Sequence, residues 1–254
     1  DSWVAHAKRY ADKMSEFLAL DQQSLVYEIA SNDGYLLQHF VANEVPVVGI
    51  EPAANVAQAA IDKGIRTEVT FLGKHSAEKL VAEYGKANLV LGNNVLAHVP
   101  DLNDFVSGIH ELMADSGVLT MEFPHLQNLI EQNQYDTIYH EHFSYLSFVA
   151  VERVFAHHGI RLFDVEEIPT HGGSLRIYGC HHDNQDRSTS NAIAALRKRE
   201  IDLGYETTAV YADFESRVQT SKRNLLRFLC DAKDAGKSIV GYGAAGKGNT
   251  LLNY

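Results

Sequence analysis

Four consecutive side chains, Tyr139, His140, Glu141 and His142, can each donate, accept or carry a proton. They run into Phe143 and then a mostly apolar stretch from Tyr145 to Val151. Such a cluster has three chemical readings: a metal pair, a general base, or a polar strip facing solvent. On a strand, His140 and His142 would share one face, with Glu141 on the other. A zinc site needs more ligands than that pair, and no H-E-x-x-H helix pattern is present. No metal is expected, and the other two readings stay open on these residues alone.

Two glycine turns compete for a ligand. The first, Glu28-Ile29-Ala30-Ser31-Asn32-Asp33-Gly34, follows a strand-like run, and the next strand ends in Glu51. A carboxylate placed there can accept both hydroxyls of a ribose, so the arrangement suits an adenosine ligand. A pyrophosphate would find only Gly34 for close backbone approach and would be repelled by Asp33. S-adenosylmethionine carries no phosphate and needs fewer glycines. A plain structural turn is the competing reading.

The second turn, Gly241 to Gly248, matches G-x-G-x-x-G letter for letter. It keeps an NAD-dependent oxidoreductase as the alternative function. The acidic residue expected about 20 positions later would fall beyond Tyr254. Lys247, Asn249 and free backbone N–H groups could instead hold a substrate phosphate. A further cluster, His171-Gly172-Gly173-Ser174-Leu175-Arg176, joins two small residues to a cation. It reads either as a ligand-facing turn, with Arg176 toward a phosphate or sugar, or as a hairpin turn.

The surrounding elements alternate. Strands are predicted near 25–30, 46–51, 66–70, 88–92 and 117–123, with a final pair at 160–166 and 174–178. Helices are predicted at 3–19, 35–42, from Pro52 to about Lys63, and at 76–84, 102–113 and 148–158. Alternation with short connections implies an α/β fold with a parallel sheet covered on both faces. Past Cys180 come a polar linker, two charged helices at about 190–203 and 207–235, and a strand from Lys237 to Tyr242. The expected division is 1–182, a helical connector 183–236, and 237–254 as the start of a second α/β unit.

Composition narrows the partners. The net charge of −11 disfavours a nucleic-acid backbone as partner, and no apolar stretch is long enough to span a bilayer. Two cysteines, with no CxxC pair, fit a reducing cytoplasm. The abrupt ends read as those of a fragment, and the oligomeric state is left open, a monomer included.

The blocks EIASNDGYLL, GIEPAANVA, NNVLAHVPDL, EFPHLQNLI, YHEHFSYLS, THGGSLR and YGAAGKGNTLLNY, in that order, resemble the sugar-nucleotide C-methyltransferases. The resemblance implies a class I methyltransferase Rossmann-like sheet, S-adenosylmethionine as cofactor, S-adenosylhomocysteine as product, and a nucleotide-diphosphate deoxysugar as substrate. Methylation would fall on the carbon next to a ketone, through a base-generated enolate. It implies His142 as general base, with Glu141 and Tyr139 orienting the substrate or polarising the ketone. His140 would assist in the substrate site with His171, Gly172, Ser174, Arg176, Lys247 and Asn249. Glu28, Ala30, Asn32 and Gly34 would wrap the methionine end of the cofactor. Glu51 and Pro52 would hold the ribose, Thr70 and Phe71 the adenine, and Asn93, Asn94 and His98 would add contacts after the fourth strand. Members of this family usually carry a cysteine-rich zinc segment before these blocks and a complete Rossmann-like domain after them. Neither is complete here, so zinc is not expected. A domain that binds the cofactor without transferring a methyl group is the remaining alternative.

Overall fold

The short apolar runs of the first half are buried at every position, as strands covered on both faces must be. The computed structural model describes residues 2–243 and 246–254. Its elements, in chain order, are α1 (Ser2–Leu18), β1 (Val26–Ile29), α2 (Leu37–Val41), β2 (Val47–Ile50), α3 (Ala54–Ile61), β3 (Thr67–Glu68), α4 (Lys74–Tyr84), β4 (Ala87–Asn93) and α5 (Leu102–Leu112). There follow β5 (Met113–Pro124), α6 (Leu126–Glu131), α7 (Phe148–His157), β6 (Ile160–Ile168), β7 (Ser174–His181), α8 (Asn191–Asp202), α9 (Phe214–Asp234) and α10 (Gly246–Asn253).

One seven-stranded sheet has the order β3-β2-β1-β4-β5-β7-β6. Strands β1 to β5 pair in parallel, whereas β7 runs antiparallel to both β5 and β6. The expectation of a parallel sheet holds for five strands. The antiparallel pair follows from the tight turn at residues 169–173, which leaves no room for a crossover helix.

The pleat sends alternate side chains to opposite cores. Tyr27, Val90, Leu119 and Ile177 meet Ala77, Leu80, Val106, Ile109 and Phe155 from α4, α5 and α7. Val26, Leu89, Leu91 and Tyr178 meet Tyr10, Met14, Leu37, Phe40 and Ala60 from α1, α2 and α3. Ile193 and Leu196 of α8 join the first of these cores, so this helix packs onto the sheet domain.

A row of charges crosses three strands. Arg176 on β7 lies in register with Glu122 on β5 and Glu166 on β6, and its guanidinium bonds both carboxylates. The ring of Tyr10 packs beneath it, 4.9 Å from the guanidinium carbon. Burial lowers the pKa of Arg176, but the adjacent Glu122 carboxylate outweighs it and the net shift is upward.

The strand expected at 237–242 is not formed. Residues 237–243 lack sheet pairing, because the described residues offer no neighbouring strand to bond them, and Val240 and Tyr242 are exposed. The glycine turn that follows includes Ala244 and Ala245, which lie outside the described residues. Among the described residues, no helix is long and apolar enough to cross a membrane.

Candidate active site

Five parallel strands put their carboxyl ends on one edge of the sheet, and three contiguous cavities open there. The first, about 470 Å³, is lined by Ala30, Glu51, Pro52, Thr70, Phe71, Leu72, His98, Asp101, Asp104 and their apolar neighbours. The second, about 490 Å³, is bounded by Trp3, Ala30, Asn32, Asp33, Tyr35, Asn93, Asn94 and His171. The third is small, about 110 Å³, and is walled by Phe123, Pro124, Leu126, Leu129 and Leu146, with Tyr139, His142, Lys247 and His171 as polar groups. His98 belongs to all three, and Asn94 and His171 to the second and third.

The backbone at this edge is strained. Ala30, Asn32, Asn94 and His171 each adopt a left-handed conformation, with φ between 52° and 57°. Non-glycine residues held in that region cluster at functional sites. The strain turns each chain segment sharply as it leaves its strand.

Glu51 stands at the mouth of the first cavity. One carboxylate oxygen accepts the Asn32 N–H at 3.1 Å and the other the Ala53 N–H at 2.8 Å. The group is thereby fixed, and its remaining lone pairs face the cavity. Phe71 offers an open ring face there, with 79% of its surface exposed. The side-chain oxygens of Asn93 and Asn94 are buried without a partner. Acceptors of this kind need a donor, and a ligand in the second cavity, which both residues line, can supply one.

In the third cavity, the loop ahead of α7 is zipped to the turn after β4. The N–H groups of Phe143 and Ser144 both donate to the carbonyl of Ala97, at 2.8 and 3.3 Å. That pairing brings His142 against His98, with ring centroids 4.9 Å apart. The Nδ1 of His142 lies 2.8 Å from the carbonyl oxygen of Thr137. A carbonyl only accepts, so Nδ1 carries the proton and Nε2 is left free to act as a base. The Tyr139 ring packs on the same imidazole, 4.5 Å between centroids. Burial and then Glu141 push the Tyr139 phenol upward, so it stays a proton donor. Burial, followed by His142, depresses the pKa of His98 and keeps it neutral. Burial and then Lys247 do the same to His171.

Several expected residues fall elsewhere. Arg176 is only 5% exposed and its guanidinium is committed to Glu122 and Glu166, so it faces no phosphate. Ser174 is buried and donates to the carbonyl of Thr170. His140 and Glu141 are exposed and line none of the three cavities, because the segment forms a turn in place of a strand. Asn249 is exposed on α10 and bonds Asn253. Glu28 lies buried beneath the cavities, its carboxyl pushed well above the usual carboxylate range by burial, then by Asp33. Gly34 packs the first turn against Ile65 and Ala60, and Gly172 holds the β6–β7 turn against Gln134; neither borders a cavity.

Other lining residues escaped the sequence reading. Tyr145 sat inside the opening motif, Asp101 inside the NNVLAHVPDL block and Asp104 just after it. Trp3 gave no signal, because on α1 it reads as one more apolar helix position. Among the described residues, no group of three or more His, Cys, Asp or Glu is placed to hold a metal.

A sheet of this order, with its penultimate strand reversed and a cleft at the carboxyl ends of β1, β2 and β4, defines a class I methyltransferase fold. Residues 3–165 match the methyltransferase domain model, and residues 169–254 match the C-methyltransferase C-terminal domain model. The chain belongs to the methyltransferase-domain family. It is 33% identical over 251 residues to the C-methyltransferase NovU of Streptomyces niveus, a match covering 99% of this chain and 60% of that protein's length. The fold resembles an S-adenosylmethionine-dependent methyltransferase from Clostridium acetobutylicum, with TM-score 0.54 at 9% identity over 68% of this chain and 90% of that one. It also resembles the PH0226 protein of Pyrococcus horikoshii, with TM-score 0.52 at 12% identity over 67% and 86% of the two chains. The cofactor of such a domain is S-adenosylmethionine, and the fixed carboxylate, the open aromatic face and the orphaned amide oxygens fit it.

Proposed function

We propose that this protein is a C-methyltransferase acting on the carbon next to a ketone of a nucleotide-linked deoxysugar. The observation that carries this reading is His142, whose Nδ1 is engaged by Thr137 and whose side chain lines a small cavity that meets the cofactor cleft at His98. Bound S-adenosylmethionine supplies an electrophilic methyl group on a sulfonium. Glu51 and Pro52 would hold its ribose, Thr70, Phe71 and Leu72 would flank the adenine, and Asn32, Asn93 and Asn94 would meet the amino-acid end.

A ketone acidifies the neighbouring C–H. His142 Nε2 takes that proton, and the substrate carbon becomes the nucleophile of an enolate. The Tyr139 hydroxyl donates to the enolate oxygen, and the Lys247 ammonium adds a positive charge beside it. The apolar walls, Phe123, Pro124, Leu129 and Leu146, exclude water that would reprotonate the carbon. Neutral His98 and His171 place no competing positive charge beside the base.

The test is exchange of the substrate's α-hydrogen in heavy water, with the full-length protein and no cofactor. The reading expects exchange of a nucleotide-linked keto-sugar that depends on His142, and methyl transfer once S-adenosylmethionine is added. Parallel calorimetric titrations with S-adenosylmethionine and NAD should show saturable binding of the first only. Binding of NAD alone would move the protein to the oxidoreductases. Cofactor binding without transfer would leave a non-catalytic domain.

A further inference from the structure

We propose that Glu200, on α8, is a positioning residue for the loop that carries His142, acting through His125 and the first N–H groups of α7. The kinetic part of this inference rests on the reaction proposed above; the structural part does not. The Glu200 side chain is 0% exposed. Its Oε1 accepts from His125 Nε2 at 2.6 Å and from the Phe148 N–H at 2.8 Å, and its Oε2 accepts from the Val149 N–H at 2.8 Å. A carboxylate taken out of water is tolerated only where donors replace the lost hydration. Here the donors are His125, which sits between the cavity-lining Pro124 and Leu126, and the first two N–H groups of α7.

Two linkages leave this carboxylate. One runs to α7, whose N-terminal N–H groups carry partial positive charge. Ser147 caps that helix, its hydroxyl accepting from the Ala150 N–H, and so ends the loop that holds His142. The other linkage runs to His125, just past β5. The His125 N–H donates to the carbonyl of Gly173, and the neighbouring Leu126 N–H donates to Leu146, each at 3.1 Å. Glu200 thus ties together the segments bearing Phe123, Leu146 and His171, all of which line the third cavity. The far end of the loop is held separately, by Ala97.

Anchorage of α8 does not depend on this residue. Ile193 and Leu196 sit in the main core, Arg197 forms a bidentate pair with Glu152, and Arg199 forms one with Glu167. Loss of the carboxylate should therefore loosen the cavity wall and leave the helix in place.

Glu200→Gln keeps the shape and replaces one acceptor by an NH2 that must confront a donor. Hydrogen exchange should quicken about tenfold in peptides covering 139–149, the effect of an unsatisfied buried donor on local opening, with β1 and β4 unchanged. In the full-length protein, kcat should fall about 10²-fold, as small displacements of a base can cause. The affinity for S-adenosylmethionine should stay as in the wild type. Glu200→Asp, which keeps the charge but retracts it, should shift both readouts in the same direction. Unchanged protection at 139–149, or protection lost evenly across the whole sheet, would overturn the proposal. The exchange measurement needs no substrate, so an inactive wild-type protein would count against the reaction and not against the clamp.

Discussion

The imidazole of His142 meets that of His98 edge to face, 4.9 Å between centroids, at the point where all three cavities join. Two rings this close are not both charged without penalty, and burial with His142 depresses the pKa of His98 below its ordinary 6.5. A depressed value in the folded state contributes stability above pH 6.5 that is lost as the pH falls through the folded value. Thermal unfolding should therefore shift to lower temperature below pH 6.5, and His98→Gln should flatten that part of the profile. An identical slope in the variant would remove His98 from the account.

Replacing the base is the direct check on chemistry. His142→Ala should reduce turnover by about 10²–10⁴-fold, the contribution of a positioned general base, while calorimetry still shows cofactor binding. Turnover at the wild-type rate would sink the assignment.

On the proposed reading, Glu51 bears on the cofactor alone. Glu51→Ala should weaken S-adenosylmethionine binding by about 1.5–3 kcal/mol, the range for hydrogen bonds to a charged group. Calorimetry reads this without any sugar substrate, and an unaltered Kd would refute the ribose contact.

Arg176 bears on stability. Glu122 is fully buried, so Arg176→Ala removes the guanidinium that pairs with its carboxylate, leaving only His6 nearby, and should cost about 3–5 kcal/mol in denaturant unfolding. A weakened KM with unchanged stability would restore the substrate role that the sequence suggested for this arginine.

Glu28 gives the opposite pH sign to His98. Its folded pKa is raised, so the stability it contributes is present below the ordinary value of 4.5 and lost as the pH rises through the folded value. Glu28→Gln should match the wild type in strong acid and melt at higher temperature near neutrality. A constant difference between the two proteins across pH would contradict the burial of this carboxyl in its neutral form.

The sequence made the sheet legible because its strands are short apolar runs separated by helical periodicity. The candidate site was legible where residue types are unusual for their place: a carboxylate just past β2, paired asparagines at the end of β4, and proton carriers beside an apolar run. It was not legible where the third dimension decides. Arg176 reads as a ligand-facing cation until its two in-register glutamates appear, since cross-strand pairing cannot be seen along one chain. His140 and Glu141 share a motif with His142, but a turn at 139–142 sends them to solvent. The strand predicted at 237–242 has the right composition and no partner among the described residues. Glu200 carried no signal at all, because a glutamate in a charged helix is ordinary until its burial is known.

The cavities divide along the chain as well as in space. Apart from His171, every residue lining the two larger ones comes from the stretch 3–105, while the small one draws on Asn94, Ala97 and His98 and otherwise on residues 123–247. On the proposed reading, donor and acceptor of the methyl group are served by successive lengths of one polypeptide, joined at a short seam around His98. On that reading, substitutions downstream of the seam alter the acceptor cavity and leave the walls of the donor cleft, His171 apart, unchanged.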